Sequence, residues 1–142
     1  MFTVRQALTD FLDDNGFTID DYDAPTVAIP IGPLTVHLPN TAGRKKVVGW
    51  HDLHHVATGY GTDLVGEAEI GVFELRAGCP SMVGWVYNGM AVALGLVLAP
   101  RRVFAAFRAA RGKRTLYGAG LDYADALALP LATLRARMGL DR

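Results

Sequence analysis

The chain has a single cysteine, Cys79, in 142 residues. No disulfide can close within it, and a reducing compartment, the cytoplasm, fits. Excess charge is missing as well. Acidic and basic residues balance at 14 each, so the chain lacks the electrostatic footprint of a general nucleic-acid binder. The N-terminal residues carry acids and no basic stretch ahead of an apolar run, which argues against a signal peptide. No repeat or low-complexity linker divides the sequence, and its length suits one domain, 1–142, with one core. Between Ala77 and Pro100 there is no charged residue at all. Such a run could cross a bilayer, which takes about 20 apolar residues. Asn88 in its middle and Gly84, Gly89 and Gly95 weaken that reading. A buried central helix over 81–99, with the other helices packed around it, is the expectation.

What is present reads as mainly α, a small helical bundle with a short N-terminal β-hairpin. Thr3 can cap a helix whose Val4, Ala7, Leu8, Phe11 and Leu12 recur at helical spacing, ended by Asn15-Gly16. Asp20 to Pro25 is turn-rich. β-branched residues on both sides of Gly32-Pro33 predict a hairpin near residues 26–38, confined to an edge by Pro30 and resting on the helices. His37 reads as a strand side chain rather than a ligand. Thr62 is the expected cap of a helix running through Leu64, Val65, Ile70, Val72, Phe73 and Leu75, with Glu69 and Glu74 solvated. Val103, Phe104 and Phe107 share a face opposite arginines over 101–111. Asp122 caps the last element, which Pro130 should kink or restart.

The stretch Trp50 to Glu67 holds the chemistry. His51 and His55 are four apart, so on a helix they leave one face a turn apart. Asp52 sits about 100° round the axis from His51, near enough to reach the same ion. Gly59, Gly61 and Thr62 break the helix, and a returning helix would carry Glu67 back to the histidines. Two imidazoles and two carboxylates suit a divalent first-row metal. His54 is given a surface or supporting position, because His55 makes the i, i+4 pair with His51. Two histidines a turn apart can also be plain surface residues, and a metal can merely fasten two helices. Structural zinc usually uses cysteines, however, and none lies in the motif.

His51-Asp52-Leu53-His54-His55, eleven residues, then Glu67 resembles HDxxH-x11-E, the signature of the coenzyme Q (ubiquinone) biosynthesis protein 4 family. Gly59, Gly61, Thr62 and Gly66 agree with that family's turn, and Leu131 to Leu140 is similar to its terminal pattern. The resemblance covers about 44–142. It implies a zinc-binding, membrane-associated protein linked to ring C1 decarboxylation and hydroxylation of prenylated hydroxybenzoate precursors. His51, Asp52, His55 and Glu67 would be its metal ligands and catalytic residues. Zinc is the cofactor the resemblance favours. Iron is the alternative, since two His with carboxylate is also the ligand type of non-haem iron oxygenases.

Two functions follow from these readings. One is a metal-dependent lyase or oxidoreductase acting on a prenylated or other apolar aromatic acid. The other is a non-catalytic lipid-binding or scaffold protein that presents a quinone precursor. In both, Val83, Val86, Tyr87, Met90 and Leu94 line a groove for the apolar tail. Arg101, Arg102 and Arg108 would face an anionic head group or the inner face of a membrane as a peripheral contact. No nucleic acid is expected as a partner, and a homo-oligomer is compatible with either function.

Overall fold

The computed structural model describes residues 1–31 and 33–140, with the side chains of residues 29–31 outside the description. Seven α-helices and one two-stranded ribbon form among them: α1 Val4–Asp14, β1 Thr26–Ile31, β2 Leu34–Pro39, α2 Ala42–Thr58, α3 Leu64–Ala77, α4 Met82–Leu98, α5 Pro100–Ala109, α6 Tyr123–Ala128 and α7 Leu131–Met138. The chain is a mainly α bundle with a small N-terminal hairpin, as the periodicity and punctuation lead one to expect.

Thr3 opens α1 with a capping box. Its hydroxyl accepts from the Gln6 N–H at 3.3 Å, and the Gln6 side chain accepts from the Thr3 N–H at 2.9 Å. Val4, Ala7, Leu8 and Leu12 form its buried stripe. Pro130 breaks the last segment into α6 and α7, and the break itself is tied to α1 by Val4 N–H to Leu129 O (2.9 Å) and Leu131 N–H to Phe2 O (3.1 Å). The two strands pair antiparallel from Thr26↔Pro39 to Ile31↔Leu34. Of the expected turn, Gly32 lies outside the described residues. β2 exposes every side chain except the half-buried Leu38, so His37 is a strand side chain, as expected, but the ribbon does not lie flat on the helices. Its base is held by Asn40, whose amide donates to Tyr22 O (2.9 Å) and Ala24 O (2.7 Å).

The central helix is α3, not the expected 81–99 segment. Ile70 and Phe73 join the main core with Leu8, Leu53, Leu116, Leu134 and Met138. Ala68 and Val72 on the opposite side pack against Val103 and Ala106 of α5. Burial all round an α-helix is what a central position requires, and α3 has eight buried residues among its fourteen. α4 lies outside it and turns inward only Gly84, Asn88 and Gly95 as fully buried residues. A Cβ on Gly95 would stand 2.2 Å from that of Ala68, so α4 can approach α3 only with its smallest residues inward. The large side chains therefore point out. Val83, Val86, Tyr87, Met90 and Leu94 are 41–65 % exposed. Full burial of one such side chain contributes about 1.5–3 kcal/mol, and about half of that gain is unrealised here. In α5, Val103 and Ala106 face inward, whereas Phe104 and Phe107 are exposed; the expected common face is split.

Candidate metal site between α2 and α3

α2 starts at Thr41, whose hydroxyl accepts from Arg44 N–H at 3.2 Å, and stops at Gly59 in the left-handed region, φ +79°. The next helix is capped by Asp63, which accepts from Gly66 N–H at 2.9 Å. Thr62, expected as that cap, instead hydrogen-bonds Asn15 at the end of α1. A Cβ on Gly66 would lie 2.1 Å from Gly61 O. The turn folds onto the first turn of α3 only because residue 66 has no side chain, and this closeness places Glu67 over the histidines.

Three donors converge. His51 Nε2 and His55 Nε2 are 3.1 Å apart, and Glu67 Oε2 and Oε1 lie 3.3 Å from the first and 3.4 Å from the second. Together they form a group that could hold a metal ion. The His51–His55 separation is close to the ligand–ligand edge of a tetrahedron, about 3.3 Å for metal–ligand bonds of about 2.0 Å, and the carboxylate faces that edge with one oxygen toward each histidine.

The other ring nitrogens support this arrangement. His51 Nδ1 lies 2.9 Å from Glu74 Oε1, and His55 Nδ1 lies 2.9 Å from Tyr60 O. A carbonyl and a carboxylate only accept, so in neutral rings both Nδ1 atoms carry the hydrogen and both Nε2 atoms present lone pairs. Two lone pairs 3.1 Å apart beside a carboxylate repel unless a cation lies between them. Without metal a proton serves. Burial alone would lower His51, but Glu67 and Glu74 outweigh it and raise its pKa to about 10. Burial likewise opposes the ionised form of Glu67, yet hydrogen bonds from His51 and His55 hold it down to about 2. The Phe11 ring stacks on His55 with centroids 5.6 Å apart. Glu67 is about one-third exposed, so the site opens to solvent on that side.

Asp52 is not in the converging group. Its Oδ2 accepts from the Tyr22 hydroxyl. Burial raises its pKa, against that bond and the nearby histidines. It stands beside the site, where it can hold Tyr22 or approach an ion.

The residue missed by sequence reasoning is Glu74. Expected to be solvated, it is 1 % exposed. Its Oε1 meets His51 Nδ1 (2.9 Å), His54 Nδ1 (2.6 Å) and the Tyr117 hydroxyl (3.1 Å), and its Oε2 accepts from Asn88 Nδ2 (2.8 Å). Burial pushes against the charge, but the His51 and His54 bonds win and keep Glu74 well below the ordinary carboxylate range. His54, given a surface or supporting position above, is fully buried and supports the site. Its Nε2 accepts from Leu116 N–H at 2.8 Å, so it ties α2 to both Glu74 and the 115–117 segment. Two signals for this were in the sequence: Glu74 lies two turns after Glu67 on the same face, and Asn88 is a polar residue in an uncharged helix. Glu69, also expected to be solvated, is buried and forms a bidentate pair with Arg102 at 2.9 and 2.7 Å, which fastens α5 to α3. No family model, curated protein or solved structure matches this chain.

Proposed function

We propose that this protein is a metal-dependent enzyme acting on an apolar aromatic acid, of the kind the coenzyme Q biosynthesis protein 4 family handles. The observation that carries this reading is the convergence of His51 Nε2, His55 Nε2 and the Glu67 carboxylate, with closest approaches of 3.1–3.4 Å, on a solvent-open edge. The donor set fits zinc or iron, with Asp52 adjacent as a fourth donor or as a neighbour of the bound substrate. When bound, such a metal acts as a Lewis acid that polarises a carboxylate and offsets charge as carbon dioxide leaves. The chain's own residues do the rest. Glu74 and the Tyr60 carbonyl fix the tautomers of His51 and His55, and Phe11 excludes water from one side of the His55 ring. Tyr22 holds Asp52 toward the 19–23 segment.

The open apolar face of α4 would take a hydrocarbon tail, each buried methylene contributing about 0.8 kcal/mol. Arg101 and Arg108 would meet an anionic head group or a membrane surface; Arg102 is engaged by Glu69 and serves less well there. No described helix is long and apolar enough to cross a membrane, so any attachment by these helices would be peripheral. That same exposed face favours the second reading, a protein that presents a prenylated quinone precursor without transforming it. Metal analysis together with mass spectrometry of co-purified lipid separates the cases. The enzyme reading expects about one zinc or iron per chain and turnover of a prenylated hydroxybenzoate that is lost in Glu67→Ala. Bound prenyl lipid with no turnover would establish the presenter, and a metal-free protein that carries no lipid would end both.

A further inference from the structure

A cavity lies away from the metal-ligand group, where the end of α3 and the loop after it meet the segment after α5 and α7. It is open, has a volume of about 830 Å³, and Cys79 and Pro80 of the loop after α3, Arg114, Tyr117 and Ala119 of the segment after α5, and Arg137 of α7 are among its lining residues. Tyr117 marks its position relative to the metal site. The Tyr117 hydroxyl reaches Glu74, and Glu74 holds Nδ1 of His51, whereas the metal-facing atom is Nε2. The cavity is thus behind His51 and is not an approach to the ion.

Its charge is one-sided. Arg114 N–H donates to Met138 O at 3.1 Å, which sets Arg114 and Arg137 on adjacent backbone. No acidic residue lines the cavity, and neither guanidinium has a carboxylate partner among the described residues. Two planar forks on one rim favour a ligand with at least two oxygens. The Tyr117 ring, Pro80 and Ala119 offer apolar surface beside them. Glu74, the nearest buried acid in the network, is already occupied by four donors.

We infer that this cavity binds a small organic oxyanion, a carboxylate or phosphate ester on a short flat apolar body, at a site separate from the metal. The inference does not depend on the metal, so its test uses the full chain after chelation. Titration calorimetry with benzoate, phenyl phosphate and neutral benzyl alcohol should show saturable binding of an anion at one per chain and much weaker binding of the alcohol. Whichever anion binds tighter identifies the head group, and either result supports the site. Arg114→Gln and Arg137→Gln should each weaken binding about fivefold or more, while Arg5→Gln, which removes the same charge from α1, should not. Both cavity arginines are exposed, so these variants keep the fold. Ala119→Phe should weaken binding about fivefold or more by crowding the rim beside the arginines while leaving both of them intact. Benzyl alcohol binding as tightly as the anions, equal loss in Arg5→Gln, unchanged binding in Ala119→Phe, or no saturable anion binding would each overturn the inference.

Discussion

The interface of α2 with α3 and the outer face of α4 reverse the usual placement of polar and apolar groups. The first buries His54, His55 and Glu74, with Asn88 of α4 donating to Glu74: His54 and Glu74 are 0 % and 1 % exposed and share a 2.6 Å hydrogen bond. The second shows water a run of Met, Val, Trp, Tyr and Leu. One cause produces both. α3 occupies the centre, so its Glu74 must be inside, and α4 must close on α3 through Asn88 against Gly71 and Gly95 against Ala68. Hydropathy ranks side chains, but size decided which face of α4 could pack.

The comparison breaks if the buried polar group is dispensable. Glu74→Ala leaves four donors without their acceptor, and unfolding in urea should show a loss of about 3–5 kcal/mol. A loss under about 1 kcal/mol would mean the network is decoration. A crossed pair sharpens the roles within it. Glu67→Ala should weaken zinc binding by about a hundredfold or more and cost the metal-free protein less stability than Glu74→Ala, since this residue is partly exposed. His54→Ala should do the reverse, with stability down by about 2–4 kcal/mol and metal affinity much less reduced. Equal metal content in the two variants would refute the ligand assignment.

pH adds a third test. In metal-free protein the folded state raises His51 from 6.5 to about 10. Its stabilising contribution is therefore complete below about pH 6.5 and is lost as pH rises through about 10. Urea midpoints of chelated protein should fall across that window, and saturating zinc, which takes the place of the proton, should remove the slope. The smallest effect belongs to α4. Met90 is 65 % exposed, so Met90→Trp should leave stability within about 0.5 kcal/mol. A loss of 1–3 kcal/mol, the signature of overpacking, would show that the face is packed in solution.

Much of this was legible in the chain. The capping residues Thr3 and Asp122, the stop at Gly59 and the restart at Pro130 are local chemistry, and each behaves as its residue type dictates. The spacing of His51, His55 and Glu67 carried their convergence, because helical period and a short turn leave few alternatives. Solvent exposure was not legible. The spacing of Glu74 from Glu67 puts both on one face, but nothing local to Glu74 or Glu69 says that other elements close over them, and the apolar composition of 82–98 is the same whether its large residues face a core, a lipid or water. Arg135 shows the same limit: it donates to Ala57 O at the end of α2 and to Leu140 O at 3.3 Å, partners 78 and 5 residues away.

The closeness of Gly66 to Gly61 O has a consequence for ion size. With that turn packed so closely, the two imidazoles and the carboxylate approach to 3.1–3.4 Å across the two helices. Calcium surrounds itself with six to eight oxygens at about 2.3–2.6 Å and needs a yielding, oxygen-rich shell. A narrow edge with two nitrogens refuses it. The methyl group absent from residue 66 thus works as a gauge: an alanine there would pry the hairpin open, and the first thing lost would be the ability to tell a small ion from a large one.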